Sequence, residues 1–226
     1  MSPRRSKHVE TPVSPHRYIV VEGPIGVGKT SLARRLAESF GSELVLEQGE
    51  HNPFLERFYR NPRAAAFQTQ LYFLFQRSRQ LQDLRQQDLF ERTRVADYLL
   101  EKDRLFARLT LDEAEFALYE QVYSRLSLDA PQPELVVYLQ APVDVLLARI
   151  ARRGIAYEQG IERRYLERLG EAYSRFFLEY EAAPVLIVNA AEIDLVYSDA
   201  DYKGLLAEVQ RHRKGRHYFN PLKSLF

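Results

Sequence analysis

The feature that most constrains this chain is the octapeptide Gly23-Pro24-Ile25-Gly26-Val27-Gly28-Lys29-Thr30. It matches G-x-x-x-x-G-K-[ST], with Gly23, Gly28, Lys29 and Thr30 on the fixed positions and Ser31 following. Glycines at such spacing let backbone N–H groups turn toward an anion, and a helix beginning directly after aims its positive end at the same place. Lysine adds a point charge to the transferring phosphoryl group and threonine a hydroxyl for Mg²⁺. The motif carries meaning only between a strand and a helix. Here the apolar run Tyr18-Ile19-Val20-Val21 precedes it, and helical spacing begins at about Ser31 and runs to Phe40, with Gly41 as a stop.

The rest of the chain keeps that rhythm. Leu44–Leu46, Thr93–Ala96, Leu135–Leu139 and Val185–Val188 read as further short strands. Between them, residues 64–90 read as one long helix, with Phe67, Leu71, Leu74, Leu81 and Leu84 near helical spacing. Thr110-Leu111-Asp112-Glu113 reads as a capping box opening the next helix. Pro142 sits near the start of a helix ending around Gly154, residues 162–181 form another, and about 199–213 the last. Alternating strands and helices predict an α/β fold: a P-loop NTPase-like three-layer αβα sandwich on a parallel sheet of about five strands. Residues 1–16, rich in Pro, Ser, Arg and His, read as a disordered arm, 17–221 as the domain and 222–226 as a tail. The basic residues Arg213, Lys214, Arg216 and Lys223 read as a solvated or partly docked C-terminal stretch.

Composition excludes several function classes. A net charge of +1 argues against nucleic acid as the main partner. The chain has no cysteine, so disulfides, thiolate metal sites and cysteine nucleophiles are ruled out. No apolar run is long enough to cross a bilayer, and Arg4-Arg5 lack an apolar segment behind them. The expectation is a cytoplasmic protein with no membrane partner.

In parallel α/β sheets ligands bind beyond the carboxyl ends of the strands. Glu47 and Asp97 each close a predicted strand there. Phosphoryl transfer uses a proton acceptor and a carboxylate that orders Mg²⁺ or its waters, and two acids in that place suit both tasks. Gln70 and Arg77, seven residues apart, share one face of the long helix and could read a base edge. Arg149, Arg152 and Arg153 gather before Gly154, where they either complement a helix dipole or neutralise phosphoryl oxygens.

Taken in order, these motifs resemble the deoxyribonucleoside kinases. The segments Glu50-His51-Asn52-Pro53-Phe54-Leu55-Glu56-Arg57-Phe58-Tyr59 and Tyr218-Phe219-Asn220-Pro221 are most similar to the bacterial deoxyadenosine and deoxyguanosine kinase branch. The resemblance implies ATP and Mg²⁺, with Gly23, Ile25, Gly26, Val27, Gly28, Lys29, Thr30 and Ser31 around the nucleotide and Thr30 and Asp97 toward the metal. It implies Glu47 as general base to the sugar 5′-OH, Tyr59 and Glu158 on the 3′-OH, and Gln70, Arg77 and Asp103 at the nucleobase. Arg149 and Arg153 fall on the lid arginines. It further implies a homodimer and a purine deoxynucleoside substrate. Asp97-Tyr98-Leu99 departs from the acid-Arg-Ser triplet of many members, leaving Arg92, Arg94, Lys102 or Arg104 to supply the charge. The rival readings are a thymidylate-type monophosphate kinase, which needs a second phosphate site, and a nucleotide-binding regulator without turnover.

Overall fold

The computed structural model describes residues 14–86, 93–127, 130–194 and 198–220. Residues 1–13 of the 1–16 arm, the end of the 64–90 helix, Arg92, Pro221 and the 222–226 tail lie outside them.

Six parallel strands form one sheet: β1 (Tyr18–Glu22), β2 (Glu43–Val45), β3 (Arg94–Ala96), β4 (Leu135–Gln140), β5 (Val185–Asn189) and β6 (Arg216–Phe219), in spatial order β2-β3-β1-β4-β5-β6. The expected parallel sheet of about five strands is present, and β6 is the strand beyond those read from the sequence. Tyr218-Phe219 belongs to it, paired as Ile187↔Tyr218 and Val188↔Phe219. Of the two alternatives for the basic stretch, solvated or partly docked, Arg216 takes the docked one: its guanidinium donates to the carbonyls of Phe177 and Tyr180 at 3.0 and 2.9 Å. Strands β1 and β4 are apolar and buried through their centres, as expected where helices cover both faces.

The helices are α1 (Lys29–Phe40), α2 (Leu55–Arg60), α3 (Pro62–Gln86), α4 (Lys102–Thr110), α5 (Glu113–Leu126), α6 (Val143–Arg153), α7 (Arg163–Glu179) and α8 (Asp199–Arg211). α1 packs on β1 and β3, and α8 joins it through Arg35–Asp199 and a Tyr202 hydroxyl on the Arg35 carbonyl. α3, α4, α5 and α7 pack together as the other helical layer. There Tyr138, Tyr173 and Phe177 stack, with Phe106 edge-on to Tyr173. On α3, Leu74, Leu81 and Leu84 are buried, and Phe67 and Leu71 pack against the same core.

Local chemistry moves several boundaries. Helix α1 starts at Lys29 rather than Ser31, because Gly28 takes a left-handed φ of 106° and turns the chain straight into it. The capping box lies two residues later than predicted: Asp112 accepts from the Glu115 N–H and the Glu115 carboxylate accepts from the Asp112 N–H. Thr110 instead closes α4, its hydroxyl on the Phe106 carbonyl. Before β1, His16, which the sequence reading assigned to the arm, is buried and meets Arg213.

Candidate active site

The phosphate loop leaves the central strand and folds under two steric constraints. A Cβ on Gly23 would stand 2.5 Å from the Leu139 carbonyl oxygen. One on Gly26 would meet Ile150 at 2.8 Å and the Leu146 carbonyl at 2.9 Å. Both residues also have positive φ, so strand β4 and helix α6 require glycine at these positions. Lys29 lies back over the loop, its ammonium on the Gly23 and Pro24 carbonyls at 2.8 and 3.3 Å. Burial and the neighbouring Lys102 ammonium push the Lys29 ammonium below its ordinary value.

A cavity of about 440 Å³ opens beside this loop, within the size range of small-ligand sites. Of the predicted residues, Ile25, Gly26, Lys29, Thr30, Glu47, Tyr59, Gln70, Arg77, Asp97, Arg153 and Glu158 line it. A larger recess of about 680 Å³ lies between Pro24, Tyr138, Asn189 and Tyr218, but no Lys or Arg lines it. Phosphates require cations and N–H donors, so the smaller cavity is the candidate.

The strand-end acids lie close together. Asp97 Oδ2 accepts from the Thr30 hydroxyl at 2.5 Å, and its Oδ1 accepts from the Glu47 N–H at 2.7 Å. Burial raises the Asp97 carboxyl above its usual range against those two hydrogen bonds. Burial alone would raise Glu47 too. The guanidinium of Arg77 and the ammonium groups of Lys102 and Lys29 outweigh it and hold the Glu47 carboxyl well below its ordinary value.

Arg77 is the organiser of the acceptor side. It ion-pairs with both Glu47 and Asp103. Its guanidinium carbon also lies 4.7 Å from the Phe73 ring centroid and 5.8 Å from that of Tyr98. Tyr98, which stands where the motif leads one to expect arginine, is therefore an aromatic support for Arg77. Of the candidate cations among the described residues, Lys102 is the one whose ammonium reaches Glu47, at 3.2 Å. Arg94 instead pairs with Glu43 and Arg104 with Glu120. Asp103 is buried behind Arg77 and is not part of the cavity lining. Gln70 and Thr69 line the cavity beside Phe73.

The lid side is split. Arg153 pairs with Glu158, and Tyr59 stacks on Tyr157 with ring centroids 5.9 Å apart. Arg149 does not line the cavity. It ties the phosphate loop to the segment after β5, donating to the Val27 carbonyl at 3.1 Å and the Ala190 carbonyl at 2.7 Å. Gly23, Val27, Gly28 and Ser31 shape the loop without lining the cavity.

Sequence reasoning missed Glu22 and Tyr157, and named Lys102 only as one of four candidate cations. Glu22 ends β1 as Glu47 and Asp97 follow their own strands, so the same strand-end rule points to it. Tyr157 carried no such signal.

A strand–glycine loop–helix unit at the centre of a parallel sheet, with cations and acids at the strand ends, defines a phosphotransferase of the P-loop class. The deoxynucleoside kinase family model matches residues 19–213, and the chain belongs to that family. It is a kinase that transfers a phosphoryl group from ATP to a deoxynucleoside. A Bacillus subtilis deoxyguanosine kinase is 35% identical over 198 residues, covering 85% of this chain and 96% of that one. A Lactobacillus acidophilus deoxyadenosine kinase is 30% identical over 207 residues, covering 85% and 94%. The structure of deoxyadenosine kinase from M. mycoides with bound dATP matches with a TM-score of 0.74 at 24% identity, covering 85% of this chain and 98% of that one. Among the described residues no helix is long and apolar enough to cross a membrane.

Proposed function

We propose that the acceptor is the 5′-OH of a purine deoxynucleoside, deoxyadenosine or deoxyguanosine, and that Glu47 receives its proton. The observation that carries this reading is the placement of Glu47. It stands in the same cavity as the phosphate loop, hydrogen-bonded through its N–H to Asp97, which in turn holds Thr30. Donor and acceptor groups are thereby tied into one unit, and positioning is most of what phosphoryl transfer asks of a protein. Lys29 and Arg153 complement the phosphates. Tyr59 and Glu158, both on the cavity wall, suit the sugar 3′-OH, and Gln70 with the Arg77–Asp103 pair suits the base edge. Arg149 acts on the phosphates through the loop it holds.

Thr30 and Asp97 present two hard oxygen groups side by side, joined by a hydrogen bond, and oxygen is the ligand type Mg²⁺ takes. Among the described residues no group of three His, Cys, Asp or Glu could hold a metal. Mg²⁺ would therefore share its coordination with phosphates and water, as it commonly does. Asp97 and Thr30 would hold it, and it would supply charge neutralisation at the phosphates. A homodimer is supported by Phe75 on α3 and Leu118 on α5, both exposed on packed neighbouring helices.

Turnover of the four deoxynucleosides by wild type and Glu47→Gln tests the reading. The expected result is preferential phosphorylation of a purine deoxynucleoside and a loss of roughly 100-fold or more in kcat with Glu47→Gln, at near-unchanged ATP affinity. Equal rates remove Glu47 from the chemistry, and turnover of dTMP with none of the four nucleosides sinks the acceptor assignment.

A further inference from the structure

Lys102 opens α4 with a side chain 2% exposed, yet it lines the cavity. A buried ammonium is costly unless charges and hydrogen bonds compensate it. Two carboxylates do so here. Glu47 lies at 3.2 and 3.4 Å through its two oxygens, and Glu22 at 3.7 Å. Glu22 is fully buried, and its oxygens are already engaged. One accepts from the Gly23 N–H at 2.8 Å and the Tyr173 hydroxyl at 3.0 Å. The other accepts from the Leu99 N–H at 2.8 Å. Glu22 is thus fixed by three elements and lies beyond hydrogen-bond length from Lys102, acting on it as a charge.

That leaves Lys102 with donors to spare. An ammonium has three N–H groups, and among the described residues only Glu47 takes a hydrogen bond from this one. Its position is also specific. The carboxylate beside it binds the first residue of the phosphate loop, and its own field depresses Lys29. Lys29 and Lys102 therefore flank the space where a phosphoryl group held by the loop would meet an acceptor beside Glu47.

We propose that Lys102 is a second lysine of the transfer centre, donating to the oxygens of the moving phosphoryl group, with Glu22 as its permanent counter-ion; this rests on the phosphoryl transfer argued above. As the acceptor oxygen bonds to phosphorus and the bond to the leaving diphosphate breaks, the acceptor's proton passes to Glu47. Glu47 becomes neutral, and Lys102 loses one of its two anionic partners. Its charge is then unmasked beside the new phosphate ester. An interaction that strengthens as the reaction proceeds raises kcat rather than substrate affinity.

Lys102→Met, Lys102→Arg and Glu22→Gln separate this role from a packing role. Each variant is measured for kcat, for deoxynucleoside Kd by calorimetry and for thermal denaturation. Lys102→Met should lose roughly 100-fold or more in kcat while nucleoside Kd stays within about fivefold. Lys102→Arg should recover at least about tenfold of that loss. A kcat within about threefold of wild type, or a nucleoside affinity falling in step with kcat, overturns the proposal. Should Lys102→Met not fold, Glu22→Gln decides: a fall of about tenfold in kcat at unchanged nucleoside Kd supports it, and an unchanged kcat refutes it. Wild type inactive on every deoxynucleoside would be seen before any substitution. It would remove the proposed reaction itself, and this role with it.

Discussion

Replacing Arg77 with methionine should destabilise the fold more than any other single change in the site. Arg77 is 5% exposed and pairs with Asp103, which is 1% exposed, and with Glu47, which is 22% exposed. Glu47 keeps Lys102 at 3.2 Å after the substitution and has access to water. Asp103 keeps no cation and would be a buried carboxylate alone. Breaking a buried pair by removing one partner costs about 3–5 kcal/mol, whereas replacing both partners with apolar groups is often neutral. At roughly 2 °C per kcal/mol for a chain of this length, Arg77→Met should lower Tm by about 6–10 °C. Arg77→Met/Asp103→Leu should recover most of that loss, because the orphaned carboxylate is gone. The assay is urea denaturation with matched thermal melts of both single variants and the double. A coupling energy below about 0.5 kcal/mol between positions 77 and 103 would refute the reasoning, since it would mean the two charges do not depend on each other.

Two more substitutions test the electrostatics and the loop. Asp97 has a raised carboxyl in the fold, so its contribution to stability is full below the ordinary carboxylate value and is lost as pH rises through the folded value. Asp97→Asn cannot ionise and keeps a hydrogen-bonding partner for both Thr30 and the Glu47 N–H; denaturation at pH 7 should find it at least as stable as wild type, while initial-rate kinetics find kcat well reduced. Gly26→Ala places a methyl against the Leu146 carbonyl and Ile150, and calorimetry should show ATP binding weakened at least about tenfold as the loop shifts, an affinity loss of about 1.4 kcal/mol.

What the sequence made legible follows from what each signal depends on. The phosphate loop was readable because its glycines answer to backbone sterics that act locally, although the clash at Gly26 comes from α6, more than a hundred residues away. Gln70 and Arg77 were readable because helical spacing fixes a shared face. The strand β6 was not, because Arg216-His217-Tyr218-Phe219 is exposed along most of its length and carries no apolar run. Only its partner β5 makes it a strand. The capping box was displaced because Thr110 and Asp112 both satisfy the local pattern, and the choice between them is made where α4 ends. Lys102 was one of four candidates because a lysine beginning a helix ordinarily points to water; its burial between Glu22 and Glu47 is a tertiary fact. Arg149 reads as a phosphate ligand from its neighbours in sequence, yet two carbonyls claim its guanidinium.

The adjacency of β2, β3 and β1 has a metric consequence. Val45 pairs with Ala96, and Ala96 with Val20, so Glu47, Asp97 and Glu22 emerge from three neighbouring strands within two residues of one registered row. Parallel strands are spaced at about 4.8 Å by their hydrogen bonds. The acids are therefore set out along a ruler made of backbone, independent of the side chains between them. Exchanging an acid alters the charge at one mark of that ruler. Inserting a residue in β3 would move the mark itself, turning Asp97 to the opposite face of the sheet and separating the loop's Thr30 from the backbone that carries Glu47.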